Sequence, residues 1–296
     1  MALDASSGLL FVVGGQPGAA SPDVRAARTG AGATPRGAQS SLTVIDVQQR
    51  LPLAQLVFQG ELGFAQADGK GRLYVTVRDR NQILRLDGQA VANALRTMLA
   101  PKAVHNRPPT PKQTTSTTGR KVEPGKPPVL DWYAGAATQP PAEALPYVLR
   151  LDSTCESPRA LAIDPNHARL FAACNNFRMA VINPQTGNVI AALPIGPGPD
   201  AIGYDANRGL IFTANGGGDG SLTIIRQDVT DTYSVIQTLP TRQHARTLAV
   251  DPVSGDVYLT SVVYGAEMST PMTNGSPAPM KVAPVDSSFQ VLVVGN

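Results

Sequence analysis

Cysteine is nearly absent from this chain: Cys155 and Cys174 are the only two in 296 residues. That number excludes a disulfide scaffold, and without CxxC or His-rich spacings the usual structural metal motifs are excluded too. Charge is sparse, with 16% charged residues against 42% hydrophobic ones. Even so, no apolar stretch approaches the roughly 20 residues that a membrane-spanning helix requires. The opening residues MALDASSGLLFVVGG have no basic segment ahead of their short apolar run, so they do not read as a signal peptide. No Ser-His-Asp arrangement or cofactor fingerprint emerges. NGGGDGSLT (215–223) lacks the Lys-Ser/Thr of a phosphate loop, and no helix follows it, so it reads as a hairpin connection. No cofactor and no metal are expected on these grounds.

Glycine and proline are in surplus instead, at 28 and 26 residues, which suits a fold with many tight turns and long loops. The formal charge of +3 is unevenly placed. Residues 101–128 hold six Lys or Arg against Glu123 alone, and residues 14–40 hold Arg25, Arg28 and Arg36 against Asp23. The rest of the chain is net acidic, so the basic character belongs to loops, which weakens any nucleic-acid reading built on net charge. The 101–128 segment, rich in Pro and Thr, cannot bury enough apolar surface to order itself. Contact with nucleic acid or an anionic envelope polymer through it is one option, a tolerated insertion the other. Just before it, QAVANALRTML (89–99) reads as a short helix with Val91, Leu95 and Met98 on one face.

One phrase recurs. PRALAIDPNHARLFAACN (158–175), PDAIGYDANRGLIFTANG (199–216) and ARTLAVDPVSGDVYLTSV (245–262) each pair two apolar stretches across an Asp-containing turn. Anchoring on that acid gives Asp4, Asp68, Asp164, Asp205 and Asp251. The later spacings match the length of a four-stranded propeller blade, and the earlier ones are stretched by the basic segments. The turns are built from Pro, Asp, Asn and Gly for separable reasons: fixed φ, bonding to their own backbone, and access to positive φ. A single hairpin exposes too much apolar surface to stand alone, so neighbours must stack. The expected fold class is all-β, a β-propeller of four-stranded antiparallel blades over residues 2–60, 61–154, 155–196, 197–241 and 242–296. Disordered insertions are expected at 14–40, 100–145 and 265–286. First, second and third strands number five but fourth strands only four, so an N-terminal portion is expected to be missing; the alternative is a five-bladed ring with an incomplete last blade.

FAQADGKGRLYVTVRDRNQILRLD, CESPRALAIDPNHARLFAACNN, LPIGPGPDAIGYDANRGLIFTANGGGDGSLTII and TRQHARTLAVDPVSGDVYLTSVVYG, ending in FQVLVVGN, resemble the YVTN-repeat, YncE-like β-propeller family. The resemblance implies seven blades, of which about five are present, and export to the periplasm or cell exterior. It leaves function open, because fold alone does not settle it.

In such a fold the loops leading into the first strand, and those joining second to third strands, share one face. They supply Glu61, Glu156, Asp200, His244 and Arg246 from the first set, and Arg78, Asn175 and Asn215 from the second. Convergent carboxylates, an imidazole and guanidinium groups suit binding of a ligand, and the expected function is a non-catalytic binding or scaffold protein that recognises a ligand or protein partner at this face. The alternative is a metal-dependent, lactonase-like hydrolase using Glu61, Glu156, Asp200 and His244. Solvated loop residues and backbone caps are the plain alternative for all of them. Cys155 and Cys174 flank one hairpin, and a disulfide between them needs Cα atoms within about 7 Å. Cys174 falls opposite Arg159, so bridging requires the lead-in loop to fold back; two buried thiols are the alternative.

Overall fold

The structure is a computed structural model that describes residues 1–14, 38–100, 126–136, 139–229, 231–267 and 281–295. The chain divides into two compact units, Met1–Pro158 with Pro184–Asn188, and Arg159–Asn183 with Val189–Asn296.

In the first unit β1 (Ala2–Asp4), β2 (Leu9–Gly14), β3 (Gln39–Asp46) and β4 (Leu51–Gln59) form an antiparallel meander. A second begins with β5 (Leu62–Ala67), β6 (Arg72–Val77) and β7 (Gln82–Asp87). Helix α1 (Gly88–Leu99) and β8 (Val129–Asp131) intervene before β9 (Tyr147–Arg150) pairs with β7. Strand alternation aims Phe11, Leu42, Val44 and Leu56 of the first sheet at Leu62, Ala65, Leu73 and Leu86 of the second, and all are buried in one core. The helix seals this core with Val91 and Leu95, and Met98 packs at its edge. Asp87 caps the helix by accepting from Ala90 N at 2.8 Å.

The second unit continues the pattern. One sheet is β10 (Pro158–Asp164), β11 (Arg169–Cys174), β12 (Arg178–Ile182) and β13 (Val189–Pro194), and the next is β14 (Pro199–Asp205), β15 (Leu210–Asn215), β16 (Ser221–Val229) and β17 (Thr232–Pro240). Then come β18 (Thr247–Val250) and β19 (Val257–Ser261), a separate hairpin of β20 (Tyr264–Glu267) and β21 (Lys281–Pro284), and β22 (Gln290–Val294), which pairs with β19. Phe212, Ala214, Leu222 and Ile224 of one sheet share a core with Val257 and Leu259 of the next. Four-stranded antiparallel meanders stacked in chain order within each unit are propeller blades, and the fold is all-β of this class. No helix among the described residues is long and apolar enough to cross a membrane.

The recurring aspartate explains why the same hairpin forms five times. Asp4, Asp68, Asp164, Asp205 and Asp251 each accept the backbone N–H two residues on, from Ser6, Lys70, Asn166, Asn207 and Val253, at 2.8–3.2 Å. Each carboxylate replaces the missing ladder partner at the bend. Asp4, Asp164 and Asp205 are buried, a position an acid tolerates only when its oxygens are satisfied.

The expected insertions need correction where they are described. Residues 15–37, 101–125 and 268–280 lie outside the described residues. Residues 126–136 and 139–145, however, are ordered: β8 runs parallel to β4, and Trp132, the sole tryptophan, is fully buried with its indole N–H on Ala144 O at 2.9 Å. Its apolar bulk outweighs the weak local signal. Likewise Gln39 already belongs to β3, and residues 264–267 pair with 281–284. Three- and four-residue strands are too short for alternation to show.

Candidate functional site

The first strands of the second unit run from one end, here the distal end, toward the turn aspartates. Five residues before each of Asp164, Asp205 and Asp251 stand Arg159, Asp200 and Arg246. Lateral stacking of β10, β14 and the segment leading into β18 brings this one repeat position together across three sheets. Asp200 Oδ2 lies 3.1 Å from Arg246 Nε, and Asp200 Oδ1 lies 3.8 Å from Arg159 Nε. A single carboxylate thus separates two guanidinium groups. Its side chain is 25% exposed and that of Arg246 54% exposed, so the row is open to solvent.

The loops behind this row are held by close backbone approach. Gly216 N donates to Gly198 O at 2.9 Å, Gly217 N to Pro197 O at 3.0 Å, and His244 N to Gly216 O at 3.0 Å. A Cβ on Gly216 would come within 2.5 Å of Arg246 Cγ, so the missing side chain is what lets the arginine stem lie flat there. Asn215, at the end of β15, is wholly buried. Its Nδ2 donates to Ser221 Oγ at 3.2 Å and Thr223 Oγ1 at 3.0 Å, while Oδ1 has no protein partner. His244 adopts φ +65° and meets Tyr264 edge-on at 5.1 Å, and its buried Nδ1 also lacks a protein partner. Such orphaned polar atoms in an ordered site invite water or ligand.

Of the residues expected from sequence, Asp200, Asn215, His244 and Arg246 therefore assemble. Asn175 is exposed at the end of β11 and makes no hydrogen bond to them among the described residues. Glu61, Arg78 and Glu156 belong to the first unit. There Glu61 ion-pairs with Arg78, and Glu61 N donates to Asp79 Oδ1 at 2.6 Å. Arg78 N also donates to Glu61 O at 2.8 Å, so this pair braces the loop between β4 and β5. Glu156 is exposed beside Ser157, whose N–H donates to Asn81 Oδ1 at 2.8 Å. Both cysteines are buried and disulfide-bonded. Among the described residues no group of three His, Cys, Asp or Glu side chains converges as a metal site.

Arg159 is the residue that sequence reasoning left out. The available signal was its register: aligned on the turn aspartate, it shares the position of Asp200 and Arg246. A second omission lies at the opposite end. His167, in the turn after β10, donates from Nδ1 to buried Asp164 Oδ2 at 2.7 Å. Gln227 Nε2 reaches the same oxygen at 3.2 Å, and Tyr204 O–H donates to Gln227 Oε1 at 2.7 Å. Burial works to raise the Asp164 carboxyl, but hydrogen bonds from His167, Gln227 and Asn166 together hold it below the usual carboxylate range. Burial, with the Asp164 charge, pushes the Tyr204 phenol up; burial and Asp231 push Tyr233 up to about 12. Phe171 packs on both rings at 5.2 and 5.9 Å, which makes this network a seam between two sheets.

No family model and no curated protein matches the chain. Among solved structures it is similar to Kuenenia stuttgartiensis hydrazine synthase, with 10% identity, 86% of this chain and 60% of that chain covered, and a TM-score of 0.49. It is also similar to a candidate 6-phosphogluconolactonase from Bacteroides uniformis, with 13% identity, coverages of 88% and 72%, and a TM-score of 0.48. A chain of the mitotic checkpoint complex shows 12% identity, coverages of 76% and 56%, and a TM-score of 0.48. The chain thus spans about 60% of the hydrazine synthase chain it matches. At these identities the likenesses carry nothing about ligand or chemistry.

Proposed function

We propose that this protein is a non-catalytic binding protein of the YVTN-repeat, YncE-like kind, and that its ligand sits at the distal end of the second unit. The observation that carries the reading is the row of Arg159, Asp200 and Arg246. One repeat position in three consecutive sheets has been filled with opposite charges that meet side by side. Groups of fixed charge on rigid strand ends suit recognition, since their geometry costs little to organise on binding. The glycine contacts at 198, 216 and 217 support it by fixing the loops that carry these groups. Export to the periplasm or cell exterior belongs to the same proposal, supported by the disulfide form of Cys155 and Cys174.

The test is thermal denaturation of the whole chain against a panel of neutral sugars, sugar acids, phosphate compounds, nucleotides and divalent cations. A compound at a hundred times its Kd stabilises by about 2.7 kcal/mol, which moves Tm by several degrees. The shift is expected to vanish in Arg246→Ala and to survive in Arg208→Ala, at the aspartate end. Shifts that survive Arg246→Ala, or no shift with any member, would remove the site.

A further inference from the structure

We infer that the group recognised at this end is an oxyanion, a carboxylate or phosphate seated against the guanidinium groups of Arg159 and Arg246; this rests on the site proposed above.

Charge is distributed unevenly along the strands of the second unit. Outside the β20–β21 hairpin, its distal end carries Arg159, Arg178, Arg242 and Arg246 against Asp200, Asp219 and Asp286. Its aspartate end carries Asp164, Asp205, Asp228, Asp231, Asp251 and Asp256 against three arginines. The unit is acidic in sum, yet the end that holds the site carries one more arginine than aspartate. At the aspartate end, moreover, each arginine is already committed: Arg169 to Asp231, Arg208 to Asp205, Arg226 to Asp228. At the distal end two arginines share one aspartate.

The two guanidinium groups at this end also keep donors in reserve. Both face Asp200 through Nε, and their Nη atoms have no hydrogen-bond partner among the described residues. A guanidinium presents five donors in a fixed fork that matches carboxylate and phosphate oxygens. Asp200 acts here as a spacer: it pairs with Arg246 at 3.1 Å and stands 3.8 Å from Arg159, in both cases through Nε, so the Nη forks stay open. The Arg246 stem is pinned over Gly216, so its fork is placed before the ligand arrives.

This assignment makes an unusual demand of Asp200. If the ligand were a cation or a neutral polyol, the carboxylate would be a ligand itself and its loss would weaken binding. For an oxyanion, Asp200 is a nearby like charge, and its neutralisation strengthens binding. The experiment is isothermal titration of the full chain with inorganic phosphate, and separately with citrate and glucuronate, at low ionic strength. Arg159→Gln and Arg246→Gln are each expected to weaken binding about tenfold or more, the scale of one charge-assisted hydrogen bond. Asp200→Asn is expected to tighten it several-fold. Gly216→Ala, which changes no charge, is expected to weaken it by displacing Arg246. Whether phosphate or the carboxylates bind tighter distinguishes the two sources of the oxyanion. Weaker or unchanged binding in Asp200→Asn would overturn the oxyanion assignment. So would binding of a neutral sugar or divalent cation that is lost in Arg246→Gln, although the site would then stand. Oxyanion binding indifferent to both arginine variants would overturn assignment and site together. Circular dichroism and Tm of each variant confirm that the fold is retained.

Discussion

Replacing Ala168 by glycine should stabilise this protein, although it deletes a methyl group. Four of the five turns place a residue in the left-handed region four positions after the turn aspartate: Gly8, Ala168, Gly209 and Gly255, with φ of +70°, +51°, +64° and +85°. Only in the 164–168 turn does that residue carry a Cβ. A left-handed L-residue costs about 1–2 kcal/mol, while glycine returns roughly 0.4–1 kcal/mol of that through its freer unfolded chain. The net expectation for Ala168→Gly is a gain of about 0.5–1 kcal/mol. The reverse change, Gly209→Ala, adds strain and sets its Cβ 3.0 Å from Gln227 O, for a loss of about 1–2 kcal/mol on the same scale. In a body of this size 1 kcal/mol moves Tm by about 2–4 °C. Scanning calorimetry of the two variants beside the parent measures both signs. A lowered Tm in Ala168→Gly, or a raised one in Gly209→Ala, would refute the claim that these turns share one geometry.

Adding reductant, or replacing both cysteines by serine, should cost about 2–4 kcal/mol, the typical worth of a disulfide; unchanged denaturation with and without reductant would count against it. Trp132→Phe removes the indole donor and strands Ala144 O in the core, so a loss of about 1–3 kcal/mol is expected from the unsatisfied acceptor, and the parent's fluorescence should be blue-shifted until unfolding. Asp164 has a lowered folded pKa, so its contribution is present above the unfolded value near 3.9 and disappears as pH falls through the folded one. Acid titration of stability should therefore be shallower in Asp164→Asn. Tyr233 has a raised folded pKa of about 12; its contribution is intact below the unfolded value near 10 and is lost as pH rises toward 12, visible as delayed phenolate absorbance that appears with unfolding.

Much of the fold was legible because its signal is local and repeated. An apolar run, an aspartate that bonds the N–H two residues on, and a second apolar run within a dozen residues need no distant partner to be recognised. β8 was not legible: its three residues take their meaning from β4, some seventy positions earlier, and from Trp132, which sits among prolines and small residues. The site was legible in part. Asp200, Asn215, His244 and Arg246 follow from loop position alone, whereas Arg159 required aligning repeats on the turn aspartate and reading opposite charges across them. The bond from His167 was not legible because its turn is polar; what holds it is the burial of Asp164, which follows from the stacking of a neighbouring sheet. Asn175 shares the loop position but not the contacts, and sequence offers no way to separate it from the others.

The most direct test of the account is a crystal of the whole chain soaked in molybdate or tungstate, tetrahedral oxyanions with strong anomalous scattering. An anomalous peak within hydrogen-bonding reach, about 3 Å, of the Nη atoms of both Arg159 and Arg246 is the predicted result. Ordered guanidinium groups with no peak between them, or a peak only among the arginines of the aspartate end, would contradict it.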